Sequence, residues 1–181
     1  MSVDKRIDRA SVTSEADHAA EVVAAYDAHE RDLFSFSLAL TRDRAAAEDL
    51  VQEAFLRLVR EARAGRFPDS ARAWLYRVVV NLARSRSRRR LVADRWRSFF
   101  TDRGVARSPE DEYVGRERGA AIDSALDALP TEARMAFLLA CDGHSGREVA
   151  ALIGRSEGAT RTLLWRARRE LRRQIRNEAS R

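Results

Sequence analysis

SGREVAALIGRSEGATRTLLWRAR, residues 145–168, is the stretch on which the fold reading turns. A helix-turn-helix needs a small residue where two helices cross, a turn residue that tolerates positive φ, and apolar residues locking the second helix. Ala150 meets the first demand and Gly154, four residues on, the second. Val149, Ile153, Thr160 and Leu163 stand where packing residues are required. The second helix, from about Ser156, is then the recognition helix of a DNA major groove. Arg161, Trp165, Arg168 and Arg172 follow at steps of four, three and four and share its outward face, flanked by Thr162 and Arg166. Arginine can bridge guanine O6 and N7 or pair with phosphate. The alternative is a solvated basic helix with Trp165 packed into the core.

Upstream, the same 3.6-residue period recurs and no strand-like alternation appears. Val22, Tyr26, His29, Leu33, Phe36 and Leu40 predict one buried face of a helix over 17–41. Asp43 is the expected N-cap of a second helix over 44–64, with Ala47, Leu50, Val51, Ala54 and Leu58 inward. Pro68 breaks the chain in a loop, and Ser70 or Asp69 caps a third helix over 71–90. Residues 91–111 lose periodicity and read as a linker. A helical set resumes near Glu112, Pro130 breaks it, Thr131 is expected to cap a helix through Cys141, and two short helices follow. The fold class predicted is all-α: two small helical bundles joined by a flexible linker. The segments are a mobile tail over 1–16, a first bundle over 17–92, a linker over 93–111, and a second bundle over 112–177 carrying the helix-turn-helix.

The chain has 181 residues, 34 Lys+Arg against 28 Asp+Glu, and a net charge of +6. Lys5 is the only lysine; a GC-rich genome accounts for most of that bias, so position carries more information than count. Basic side chains concentrate in residues 84–97 and 155–181, as two contacts on one polyanion would require. On the third helix Arg77, Asn81, Arg84 and Arg88 form a stripe, with Arg66, Phe67, Trp74 and Tyr76 beside it. A solvated charged face is the ordinary meaning of such a stripe; basic grooves with aromatic platforms also suit unstacked bases. The single cysteine excludes an internal disulfide framework. Cys141 and His144 are too few to hold a metal, and Cys141 is expected to be a small buried residue. No apolar run approaches the ~18 residues of a membrane span, and the first twenty residues lack a signal-peptide core. Glu132, Asp142 and Glu148 have no nucleophile to serve, so no catalytic residue, metal or cofactor is expected.

Four stretches, AEDLVQEAFLRL (47–58), RAWLYRVVVNLARSRSRRR (72–90), ALDALP (125–130) and GREVAALIGRSEGATRTLLWRARRELR (146–172), occur in one order along the chain. In them the sequence resembles a bacterial extracytoplasmic-function (ECF) sigma factor, over about residues 20–92 and 112–176. The resemblance implies that the first bundle binds core RNA polymerase through Asp49, Gln52, Glu53 and Leu56. The third helix and the loop before it would recognise and melt the −10 promoter element through Arg66, Phe67, Trp74, Arg77, Asn81, Arg84 and Arg88. The second bundle would read the −35 element as duplex DNA through Arg161, Thr162, Trp165 and Arg166, and dock on the polymerase flap. It also implies an anti-sigma factor as partner. A cytoplasmic protein, monomeric when free, is the simple reading. Two positions depart from the family pattern: Ser85 stands where an acidic residue is frequent, and Gly158-Ala159-Thr160 replaces a Gly-Thr-Val run. The rival classes are a stand-alone helix-turn-helix repressor or activator, which would dimerise on a palindrome, and an RNA-binding adaptor using the arginines of 84–97.

Overall fold

The computed structural model describes residues 9–98 and 117–179, with side chains over 18–89 and 122–177. Among the described residues there are seven helices and no strand: α1 (Arg9–Thr41), α2 (Arg44–Arg63), α3 (Ala71–Ser98), α4 (Glu117–Asp127), α5 (Thr131–Cys141), α6 (Gly146–Ile153) and α7 (Glu157–Ala179). No helix among them is long and apolar enough to cross a membrane.

Local signals account for most boundaries. The Asp43 carboxylate accepts the Ala46 N–H at 2.9 Å and caps α2. Ser70 Oγ accepts the Ala73 N–H at the start of α3. Three expectations need correction. Thr131 does not cap α5: Pro130 occupies the N-cap position at φ −52°, ψ 140°, and Thr131 is already the first helical residue. The segment expected to be a tail is helical from Arg9, and α3 continues to Ser98; long polar helices carry no apolar stripe for a periodicity argument to find. The last helix is not short, running for 23 residues. The remainder of the expected linker, residues 99–111, lies outside the described residues.

Helices α1, α2 and α3 pack as the first bundle, and α4 to α7 as the second. The first buries Leu33, Phe36 and Leu40 of α1 against Leu50, Ala54 and Leu58 of α2 and Leu75 and Val79 of α3. Within α1 the buried stripe runs through Ala25, not Tyr26, which is 49% exposed. The Tyr26 ring tilts over Phe55 of α2 with centroids 5.0 Å apart, at the rim of the core.

The two bundles touch. One buried cluster runs without interruption from α1–α3 into Met135 and Leu139 of α5 and Val149 and Ile153 of α6. A smaller cluster, Ala125, Leu126, Leu129, Ala133, Ala167 and Leu171, holds α4, α5 and α7 together. Tyr76 sits wholly buried at the seam, its ring 5.2 Å from Phe36 on one side and 4.8 Å from His144 on the other. It is therefore no platform for an incoming base. Cys141 is exposed, whereas His144 is buried against Tyr76.

Candidate nucleic-acid interface

Ser145 opens the helix-turn-helix with a capping box. Its hydroxyl accepts the Glu148 N–H at 3.3 Å, and the Glu148 carboxylate accepts the Ser145 N–H at 2.7 Å. That hydrogen bond holds the Glu148 carboxyl below the usual carboxylate range. Gly154 ends α6 at φ 64°, ψ 41°, a left-handed conformation that a Cβ disfavours. Thr160 is fully buried and donates its hydroxyl to the Ser156 carbonyl at 3.0 Å, fixing the first turn of α7. Val149, Ala150 and Ile153 are buried as the motif demands. On α7 Leu164 and Leu171 are buried; Leu163 is only partly covered.

The outward face of α7 is open. Arg161, Thr162, Trp165 and Arg166 are all exposed, Trp165 at 58%. This contradicts a core role for the tryptophan. The Arg169 guanidinium lies 5.4 Å from its ring centroid, a cation–π arrangement that steadies both side chains. Arg161, Trp165, Arg168, Arg169 and Arg172 line a groove of about 470 Å³ along the helix. Arg161, Arg166, Arg168 and Arg172 have no acidic partner among the described residues, so their charges are available to phosphate.

A second basic cleft, of about 340 Å³, lies between α2 and α3. Trp74, Arg77, Val78 and Asn81 contribute one wall; Arg57, Arg60 and Glu61 contribute the other. Arg77, Asn81 and Arg88 are exposed along α3, and Trp74 is half-buried at the cleft rim. Phe67 packs partly against the core. Arg66 forks onto Glu61, at 2.9 and 3.2 Å. Arg84 leaves the stripe: it reaches across the seam to Glu132 at 2.9 Å and to the Ile153 carbonyl.

On α2, Asp49 and Gln52 are exposed, and Leu56 is 44% exposed. Asp49 meets Arg86 of α3 at 3.3 Å. Glu53 is held by Arg57 at 2.7 Å, a hydrogen bond that lowers its pKa. Among the described residues no group of three or more His, Cys, Asp or Glu is placed to hold a metal ion.

Residues 25–91 match the family Sigma-70 region 2, and residues 119–171 match Sigma-70, region 4. The chain is 33% identical over 164 residues to the ECF RNA polymerase sigma factor SigL of Mycobacterium tuberculosis, covering 87% of this chain and 90% of that one. The chain belongs to the ECF sigma factor family. It is also 35% identical over 149 residues to the probable RNA polymerase sigma factor RfaY of Xanthomonas campestris pv. campestris, covering 78% of this sigma factor but 37% of RfaY. It spans less than two thirds of the length of several such relatives. In fold it resembles the sigma factor RpoE of Bartonella quintana, solved in complex with the anti-sigma factor NepR: TM-score 0.65, 24% identity, 88% of this chain and 97% of that one covered.

Region 2 of this sigma factor holds cleft residues that sequence reasoning missed. Arg57 and Arg60 sit one turn apart on α2, but only the packing of α2 on α3 brings them to Trp74. Tyr26 of α1 was missed as a surface residue because its spacing reads as core. It is about half exposed and touches Phe55, the neighbour of Leu56.

Proposed function

We propose that this sigma factor binds core RNA polymerase and directs it to promoters. Region 2 takes the −10 element and region 4 the −35 element. The observation that carries this reading is the open α7 face of the helix-turn-helix, joined in one chain to the basic, tryptophan-bearing cleft between α2 and α3. A duplex reader and a single-strand pocket together are what opening DNA at a defined place requires. A stand-alone repressor would leave the first bundle without a role.

In this reading Arg161 meets a guanine edge in the major groove, and Thr162 and Trp165 supply apolar contacts beside it. Arg166 and the arginines further along α7 take phosphates. The Trp74 ring stacks on an unpaired −10 base, worth roughly 1–3 kcal/mol. Arg77 and Asn81 line the same cleft, and Arg57 and Arg60 add positive charge across from them. Arg88, Arg66 and Phe67 extend the surface along α3 and its preceding loop. Asp49, Gln52, Glu53 and Leu56 face the polymerase, where their acidic character suits a basic partner. Polymerase would hold the two bundles at promoter spacing and link two weak contacts through effective concentration. The protein performs no chemistry of its own and acts in the cytoplasm, where polymerase and promoters meet. An anti-sigma factor covering the polymerase-facing residues is the expected inhibitor.

The test is transcription in vitro with purified bacterial core polymerase, with and without this protein, on a pool of genomic fragments. Protein-dependent start sites sharing two spaced upstream elements are expected. Sequence-specific binding without any such starts would transfer the function to the stand-alone regulator class.

A further inference from the structure

Among the described residues, three arginines of the first bundle form ion pairs across the seam, all of the same polarity. Arg42 at the end of α1 pairs with Asp123 and Asp127 of α4, Arg72 of α3 with Asp142 after α5, and Arg84 of α3 with Glu132 of α5. The first bundle supplies every guanidinium and the second every carboxylate. The Arg84 pair differs from the others in what it engages. One Glu132 oxygen accepts Arg84 Nη2 at 2.9 Å; the other accepts Nη2 of Arg155. Arg84 lies in the stripe of Arg77, Asn81 and Arg88. Arg155 lies in the turn of the helix-turn-helix, two residues ahead of α7. The Arg84 guanidinium also caps the C-terminus of α6 through the Ile153 carbonyl, a favourable place for a cation.

We propose that Glu132 is an internal competitor of the promoter backbone: its carboxylate holds Arg84 and Arg155, one guanidinium from each DNA-facing surface, in place of DNA phosphates. This rests on the promoter-binding reading above, and it adds Arg155 as a DNA contact. A carboxylate and a phosphate present similar acceptor oxygens to a guanidinium, so one can replace the other. While Glu132 is seated, Arg84 cannot reach a −10 strand and the helix-turn-helix stays drawn against α3. When the bundles part, Arg84 leaves the carboxylate and becomes free for DNA, while Glu132 and Arg155, both of the second bundle, stay paired until a phosphate replaces the carboxylate. The Glu132 carboxyl is held below the usual range by the Arg155 hydrogen bond and by Arg84, so it stays ionised and seated at neutral pH.

The experiment uses the full chain without polymerase, a fluorescent random-sequence duplex as probe, and small-angle scattering to read bundle separation. Glu132→Gln is expected to enlarge the radius of gyration and tighten duplex binding about fivefold, through partial opening of the seam and release of Arg84 and Arg155. Glu157→Gln removes one negative charge from the start of α7 and controls for net charge; it should give a much smaller gain. Arg84→Ala should open the bundles without the full gain in affinity, because the freed carboxylate has lost a DNA-binding partner of its own. Thermal melts confirm that each variant is folded, and Arg84→Ala decides the matter should Glu132→Gln fail to fold. Wild-type binding that Arg161→Ala weakens, with Glu132→Gln no tighter than Glu157→Gln, overturns this inference and leaves promoter binding intact. Opening by Glu132→Gln without tighter binding also overturns it. Duplex binding indifferent to Arg161→Ala would overturn the promoter reading itself, and the competitor role with it.

Discussion

Gly154 stands at the corner of the helix-turn-helix with φ 64°, and a Cβ there would touch only the Arg84 guanidinium, 3.9 Å away. Space is therefore not the constraint; backbone conformation is. Gly154→Ala should destabilise the fold by about 1–2 kcal/mol and lower the melting temperature by a few degrees, as read by circular dichroism. An unchanged melt would mean that the turn relaxes to another conformation. His144 is the residue that makes the seam pH-sensitive. Burial and then the Arg72 charge lower its pKa from 6.5, against the opposing pull of Asp142 and Glu148; Tyr76 packs on its ring. A histidine kept neutral in the fold contributes stability that is complete above 6.5 and is lost as pH falls through its lowered value. Melting temperature should therefore begin to drop as pH falls below about 6.5, above the range in which carboxylates ordinarily titrate. His144→Gln should flatten that part of the profile; a profile as steep as wild type would assign the dependence elsewhere.

Helix α7 combines two faces with different duties. Leu164, Ala167 and Leu171 point inward and are buried, while Arg161, Trp165 and Arg168 point outward. Trp165→Ala should therefore leave the melt within about 0.5 kcal/mol of wild type while weakening promoter binding. A large stability loss would return the tryptophan to a packing role. Arg161→Ala should cost about 1–3 kcal/mol at one or two −35 positions if it bridges a guanine. A uniform loss over all sequences, in a competition assay across promoter variants, would make it a phosphate contact. The helix-turn-helix was legible because the turn glycine and the apolar spacing are local. The N-terminal part of α1 was not: Tyr26 fits a 3.6-residue stripe with Leu33, yet the buried residue there is Ala25, one position away. Periodicity defines a face only to within about one position, since each step turns the helix by roughly 100°.

The whole molecule is closed by apolar contact first and ion pairs second. Exposed ion pairs are typically worth about 0–1 kcal/mol, and Arg42, Arg72 and Arg84 are each about one-third exposed at the seam. Tyr76, by contrast, is fully buried between Phe36 and His144. Tyr76→Ala should cost on the order of 3–5 kcal/mol and loosen the bundles, seen as a larger radius of gyration and a broader melt. A destabilised but equally compact protein would show that the remaining seam suffices. The closed arrangement also gives a polymerase-bound form something to do: separating the bundles would free Arg84 from Glu132.

The linear sequence by itself determined the helical character of the described chain, the caps at Asp43 and Ser70, the helix-turn-helix and the two basic surfaces, because each depends on residues within a turn or two of one another. It also carried the family motifs, spread over both bundles. Tertiary structure alone decided that Tyr76 is buried at the seam and is not a base platform, that Arg57 and Arg60 face Trp74, and that Arg84 is held by Glu132. The partners of Arg84 lie 48 and 69 residues away along the chain. A helical period states which side chains share a face. Which distant face comes to cover it depends on how whole helices pack, and no short stretch of sequence contains that.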